Sequence, residues 1–226
     1  MTDVADPDLT PRARQTRAAI TDAAMELFRS RGYEATTMRA VAQRAGVSTG
    51  NAYYYFGSKE ELIQEFYARS HAEHLGASRA VLDRERGFTA RLAGTLRALI
   101  DVQEPYHAFA ATFYKHAAEP TSPLSPFSKQ SSPTREASIA LYREVLEGSD
   151  ARVGGDLRDR LPELLWLASM GVILYWVHDT SPGCARTYRL IDAAAPVIGR
   201  LVAAARIPVL RATLGDITAL IDDLRS

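Results

Sequence analysis

Apolar residues recur at helical spacing through most of this 226-residue chain, and nowhere do they alternate long enough to suggest a sheet. From Arg14 to Arg29, the positions Ala18, Ile20, Ala23, Ala24, Leu27 and Phe28 share one face, with charges on the other. Gly32 ends that helix by supplying a left-handed cap. Thr37 stands where an N-cap is wanted and opens a short helix to Ala45, which Gly46 breaks. Ser48 caps a second short helix to about Tyr55. Ser58, with Glu61 three residues on, forms a capping box and starts a long helix to roughly Leu82. Further helices are predicted near 88–103, 105–118, 134–147, 157–179, 184–205 and 209–224. Residues 119–133 hold four prolines and five serines and read as a loop. Residues 148–155 read as a glycine-rich turn, and the prolines at 162, 196 and 208 should mark first turns or kinks.

Length and composition suit a small head plus a larger body. Apolar residues make up 46% and charged residues 24%, as in an ordinary globular protein. Net charge is zero, but its distribution is uneven. Residues 10–59 carry eight Arg or Lys against three acids, a local +5. Residues 1–9 carry three Asp and no base, leaving the remainder at −2. A basic front on a nearly neutral body is the electrostatic footprint of a nucleic-acid-binding head. The single Cys184 excludes an internal disulfide and fits a reducing cytoplasm. The acidic, polar N-terminus is unlike a secretory signal. The longest apolar stretch, Leu164–Val177, is shorter than the ~20 residues a membrane-spanning helix needs and reads as a buried core helix. The expectation is therefore no membrane partner.

Residues 37–56, TMRAVAQRAGVSTGNAYYYF, carry the chemistry. Two short helices that cross steeply need a small residue at the crossing and a positive φ in the turn, and Ala42 and Gly46 meet those needs. Val41, Ala45, Val47, Ala52 and Tyr55 fall where the small core must be apolar. Ser48, Thr49, Gly50, Asn51, Tyr53 and Tyr54 are left facing outward, as suits a helix entering a major groove. An αα-hairpin packed in a core is the competing reading, and for the three tyrosines so is simple core packing.

The run from about Arg14 to His74 resembles the DNA-binding domain of the TetR-type (tetracycline repressor-like) transcriptional regulators. The likeness rests on Ala23-Ala24-x-x-Leu27-Phe28-x-x-x-Gly32-Tyr33, Thr36-Thr37-x-x-x-Val41-Ala42, Ala45-Gly46-Val47-Ser48 and Tyr53-Tyr54-Tyr55-Phe56-x-Ser58-Lys59-Glu60-x-Leu62. It covers about a quarter of the chain. It implies an all-α fold: an N-terminal three-helix helix-turn-helix domain plus a larger C-terminal helical bundle that dimerises. The expected divisions are a disordered leader 1–11, a DNA-binding domain 12–74, and a ligand-sensing and dimerisation domain 75–226. Lys59 and Tyr53 are expected on the phosphate backbone. Arg39 is expected on a phosphate or a base edge, and Thr37 serves as cap and phosphate donor together. Ser48, Thr49, Asn51 and Tyr54 read bases, and Gly50 lets the backbone approach DNA. The implied function is a cytoplasmic repressor released from a palindromic operator by a small molecule. Its partners are double-stranded operator DNA, a second copy of itself and an unidentified effector.

The body is less legible. Leu157–Asp179 is apolar almost all round after Glu163 and must be covered on more than one side. Residues 185–205 present Leu190, Ile191, Val197, Ile198, Leu201 and Val202 on one broad face, and the resemblance implies a four-helix dimer interface; filling of the protomer's own core is the alternative. Tyr106, Phe109, Phe113, Tyr114 and His116, with Trp166, Met170 and Tyr175, mix apolar walls with sparse polar groups as ligand pockets do, although core packing explains aromatic residues equally well. His71 and His74 stand three apart on one helix with no nearby carboxylate or Cys partner except Glu73, which falls on another face, so no metal site is expected. No glycine-rich phosphate loop, nucleophile elbow or Ser/His/Asp set is present, and no cofactor is expected. An enzyme acting on a small molecule, with the hairpin as a tether, and an adaptor using the hairpin to bind protein are the rival functions.

Overall fold

A computed structural model describes residues 10–119 and 121–205; residues 1–9 of the expected leader and the helix expected at 209–224 lie outside the described residues. Among the described residues the regular structure is entirely helical. In chain order the helices are α1 (Pro11–Arg31), α2 (Met38–Arg44), α3 (Thr49–Tyr55), α4 (Lys59–Arg84), α5 (Phe88–Gln103), α6 (His107–Ala117), α7 (Ser132–Glu147), α8 (Asp156–Val177) and α9 (Ala185–Ala204), with 3-10 turns at Glu104–Tyr106 and Pro182–Cys184.

The helix ends follow local chemistry. Thr10 caps α1 by accepting the Ala13 amide at 3.2 Å, and Pro11 takes the first helical position rather than closing the leader. A proline there loses no hydrogen bond, because the first-turn amides have no helical partner in any case. Thr37 and Ser48 accept the Ala40 and Asn51 amides at 3.2 and 3.1 Å. Such caps are worth about 1 kcal/mol each, enough to matter for helices of seven residues. At Ser58 the capping box forms with a shifted partner. Ser58 accepts the Glu61 amide, but the Glu61 carboxylate takes the Gly57 amide at 2.8 Å.

The chain divides into two compact units, and the division runs through α4, α7 and the last turn of α5. The first comprises the chain to Glu73 together with Val102–Glu136. Its core gathers Ile20, Phe28, Val41, Ala42, Ala52, Phe56, Leu62 and Ile63, and also Phe109, Ala117 and Leu124 from the later segment. The serine- and proline-rich loop is thus a set of ordered turns, braced by Gln64 on the Pro123 carbonyl (2.8 Å) and Tyr67 on the Leu124 carbonyl (3.1 Å).

The second unit comprises His74–Asp101 and the chain from Ala137. Leu92, Leu96, Ile100, Leu141, Val145, Leu165 and Trp176 are buried in it. Here the α8–α9 turn is organised by the buried Asp179, whose carboxylate accepts the amides and hydroxyls of both Ser181 and Thr187 at 2.6–2.9 Å. Helix α8 is long and apolar enough to cross a membrane by length and composition, yet Leu161, Leu165, Trp166, Ser169, Val172 and Trp176 bury one of its faces within the unit.

Candidate nucleic-acid interface

Helices α2 and α3 pack on each other, and α2 packs on α1. Ala42 and Ala52 are almost fully buried, and Gly46 adopts φ +71 in the turn between the helices. A side chain at that φ would be strained, so glycine sets the angle of approach. The Val47 amide closes the turn on the Ala42 carbonyl at 3.0 Å. The apolar set expected for this core is in place: Val41 is buried, and Ala45, Val47 and Tyr55 pack against it.

This leaves one face of α3 without internal employment. Ser48, Thr49, Gly50, Asn51, Tyr53 and Tyr54 are exposed, Tyr54 at 79% and Tyr53 at 52%. Two large aromatic rings so exposed gain little from burial in this fold, in contrast to Phe56 at 1%. A Cβ built on Gly50 meets nothing within 4 Å. Glycine in a helix costs about 1 kcal/mol relative to alanine, and nothing in the head's own packing requires it here.

The basic residues fall into two groups. Arg17 pairs with Glu65 and lies over the Phe56 ring, Arg44 pairs with Glu26, and Arg29 stands 5.4 Å from the Tyr106 ring centroid. Lys59 donates to the Tyr33 carbonyl at 3.0 Å and sits 4.4 Å from that ring's centroid, so its ammonium is held at a fixed place with donors to spare. The Tyr33 hydroxyl in turn donates to Glu60 at 2.8 Å. Burial alone would raise the Glu60 carboxyl, but hydrogen bonds from its own amide, Tyr33 and Ser58, and the Lys59 charge, hold it below the usual carboxylate range. Arg39 and Thr37 are exposed, and the Arg39 guanidinium has no partner among the described residues. Gln43, exposed one turn after Arg39, was not singled out from sequence; its i,i+4 spacing was the available signal.

In the second unit, α8 and α9 pack together and leave an apolar strip in the open. Leu174 and Tyr175 on α8 are 41% and 43% exposed, and Val197 and Leu201 on α9 are 45% and 57% exposed. Leu190 and Ile198 are half-buried along the same helix. Ile191 and Val202, expected at a dimer interface, are instead buried inside the protomer. The reason is angular: a stripe one helix-width across cannot face both the core and a partner, and these two residues turn inward.

The aromatic residues expected around a ligand divide between the two units. Phe109 belongs to the first core, stacked on Phe28 at 5.9 Å between ring centroids, and Tyr106 meets Phe66 edge-on at 4.7 Å. Trp166 is buried in the second unit, Met170 is half-buried, and Tyr175 lies on the exposed strip. Tyr114 is half-buried; the side chains of Phe113 and His116 lie outside the described residues. A cleft of about 630 Å³ in the second unit is lined by other residues, among them Phe88, Thr89, Arg152, Pro196 and Val202.

A capped short helix, crossing a second at a buried alanine pair and presenting an unburied polar face, is a helix-turn-helix head. A family model described as "Tetracyclin repressor-like, C-terminal domain" matches residues 91–220, and one described as "Bacterial regulatory proteins, tetR family" matches residues 20–66. The first alone spans more than half of the chain, which therefore belongs to the TetR family of bacterial regulatory proteins.

The transcriptional repressor KstR2 of Mycolicibacterium smegmatis is 29% identical over 121 residues, 54% of this chain and 58% of the relative. The chain spans about half the length of the first curated relatives it matches. Among solved structures, a TetR-family transcriptional regulator from Syntrophomonas wolfei shares the fold with a TM-score of 0.66 at 15% identity, covering 82% of this chain and 95% of the other. Thermus thermophilus FadR, a TetR-family repressor solved in complex with lauroyl-CoA, gives 0.56 at 24% identity over 79% and 92%.

Proposed function

We propose that this protein is a cytoplasmic, homodimeric repressor that binds a two-fold symmetric operator and is released by a small-molecule effector. The observation that carries the reading is the outer face of α3, where Ser48, Thr49, Gly50, Asn51, Tyr53 and Tyr54 are exposed together on a helix fixed by its cap and core. Asn51 offers adenine two hydrogen bonds, and Thr49 offers a thymine methyl an apolar contact. Arg39, Thr37, Tyr53 and Lys59 supply phosphate contacts, which position the head without reading sequence. Residues 12–74 form the DNA-binding domain in this reading, and 75–226 sense and dimerise.

One recognition helix reads only a few base pairs, so selectivity requires two heads on successive turns of one duplex, about 34–36 Å apart or a multiple of it. The apolar strip of Leu190, Val197 and Leu201 on α9 with Leu174 and Tyr175 on α8 supports pairing, because a second copy of the same strip would remove it from water. The relatives' names support repression, and the lauroyl-CoA complex of FadR supports an effector site in a body of this fold. An effector lowers operator affinity only by its differential affinity for two body shapes; a typical coupling of about 1–3 kcal/mol gives roughly 5–150-fold.

Selection of bound duplexes from a random library tests the reading. A two-fold symmetric consensus recovered by a dimer is expected. Failure to retain any duplex at low salt removes it.

A further inference from the structure

We infer that the cleft between the start of α5 and the end of α9 is the dock for this chain's own C-terminal segment, residues 209–224, laid back along α9. The cleft, about 630 Å³, is lined by residues between Gly87 and Ala93, by the 150–152 turn, and by one stripe of α9 formed by Asp192, Pro196, Gly199 and Ala203. Its floor lies where the two helices meet, since a Cβ on Gly199 would collide with the Thr89 hydroxyl. The walls are mostly small and apolar. Ala90 and Ala203 are exposed, and Ala93, Pro196 and Gly199 are half-buried.

Helix α9 divides its faces three ways. Ile191, Ala195 and Val202 turn inward, and Leu190, Val197 and Leu201 form the open apolar strip. At 3.6 residues per turn, the groove stripe lies roughly 150° around the helix from that strip. A second copy seated on the strip therefore leaves the groove uncovered. The chain itself leaves α9 at Ala205, two residues past the Ala203 wall. Arg206-Ile207-Pro208 then leads into the stretch whose sequence predicts a helix at 209–224. A link of two to five residues between helices makes them antiparallel neighbours.

Running back residue for residue from that link, Leu210, Leu214, Ile217 and Ile221 come level with Ala203, Gly199, Pro196 and Asp192. Both stripes step by four, three and four residues, so the first three large side chains fall over an alanine, a glycine and a proline. Apolar surface leaves water on both sides of such a contact, which drives the docking. Charge agrees with the fit. Asp150 is occupied by the Phe88 amide at 2.8 Å, and Asp192 pairs with Arg97. Arg152 is exposed and makes no ion pair among the described residues, so the uncommitted charge of the groove is positive. The 209–224 segment carries Asp216, Asp222 and Asp223 against the single Arg211. Asp216 stands between the Leu214 and Ile217 levels, at the middle of the groove, and is the acid that meets Arg152.

Maleimide labelling of the full chain tests the dock, with Ala90→Cys and Ala203→Cys as separate reporters and the background of the buried Cys184 read from the parent chain. Each reporter is compared with the same chain carrying Leu214→Asp and Ile217→Asp. The two aspartates should speed labelling of both reporters by about tenfold or more, a ratio set by how rarely the docked segment opens. Ala137→Cys, exposed on α7, should label at one rate with either tail. Arg152→Asp should speed the reporters by about two- to fivefold, and adding Asp216→Arg should restore the slow rate. Equal reporter rates with the two tails overturn the dock: equally fast leaves the groove open to a separate partner, and equally slow assigns it to a second copy. An Arg152→Asp chain that labels like the parent, or that Asp216→Arg does not restore, overturns the register. Should the aspartates loosen the whole fold, seen as faster labelling of Ala137→Cys, the Arg152 and Asp216 pair decides alone.

Discussion

The two compact units handle polar groups in opposite ways. In the first, the charged side chains are outside: the face of α3 is left open and Arg39 has no partner among the described residues, while the buried polar residues Thr21, Thr36, Ser70, Ser125 and Ser131 are uncharged. In the second, the notable polar groups are inside. Arg91, 4% exposed, caps the last carbonyls of both α4 and α7 with one guanidinium, and the electronegative ends of those two helices offset its charge. Gly148 makes room for it, since a Cβ there would collide with the guanidinium. A surface that reads a polyanion must keep its donors in water until the partner arrives. A body that changes shape needs interior interactions that are specific and switchable, which apolar packing alone does not supply.

Breaking the interior should therefore cost folding, and breaking the exterior should cost only binding. The largest effect is expected from Arg91→Met, which strands several buried carbonyls. Urea unfolding should show a loss of about 3–5 kcal/mol, and an unchanged midpoint would contradict the clip described for Arg91. Asn51→Ala comes next. It should leave the melting temperature in place yet erode discrimination between operator and random duplex by about 1–3 kcal/mol, read from competition binding.

Asp179 gives a pH signature of similar size. Burial raises its pKa, but the hydrogen bonds from Ser181 and Thr187 outweigh this and hold it well below the ordinary carboxylate value. A depressed folded-state pKa means that the contribution is fully present above the unfolded value of about 3.9 and fades as pH falls below it. Asp179→Asn should cost about 1–3 kcal/mol at pH 7 and flatten the acid limb of stability below pH 4; an acid limb identical to that of the parent protein would refute the assignment. The smallest effects belong to the head's rim. Gly50→Ala should raise helix stability by up to about 1 kcal/mol while weakening DNA binding, a sign reversal that ordinary surface substitutions do not show. Arg39→Ala should lower affinity for all duplexes alike and reduce the salt slope by about 1.

The head was readable before folding because its determinants are local. Thr37 and Ser48 cap within three residues, Gly46 turns within one, and Ala42 and Ala52 are small for a crossing only a few residues away. Periodicity could not show how far that head extends. Phe109, Ala117 and Leu124 join its core from well beyond α4, and a helical repeat says which face is apolar but not which core receives it. The same limit explains Ile191 and Val202. Their apolar character was plain, but only the packing of α9 decides that they turn inward while Val197 and Leu201 stay outside.

By itself, the sequence determined the described helices, their caps and turns, and the residues left exposed on α3, since each depends on neighbours a few positions along the chain. Only the tertiary structure decided which basic side chains are consumed by internal partners and that one arginine closes two helix ends. Those facts depend on residues tens of positions apart being brought to the same place, and no local pattern encodes that distance.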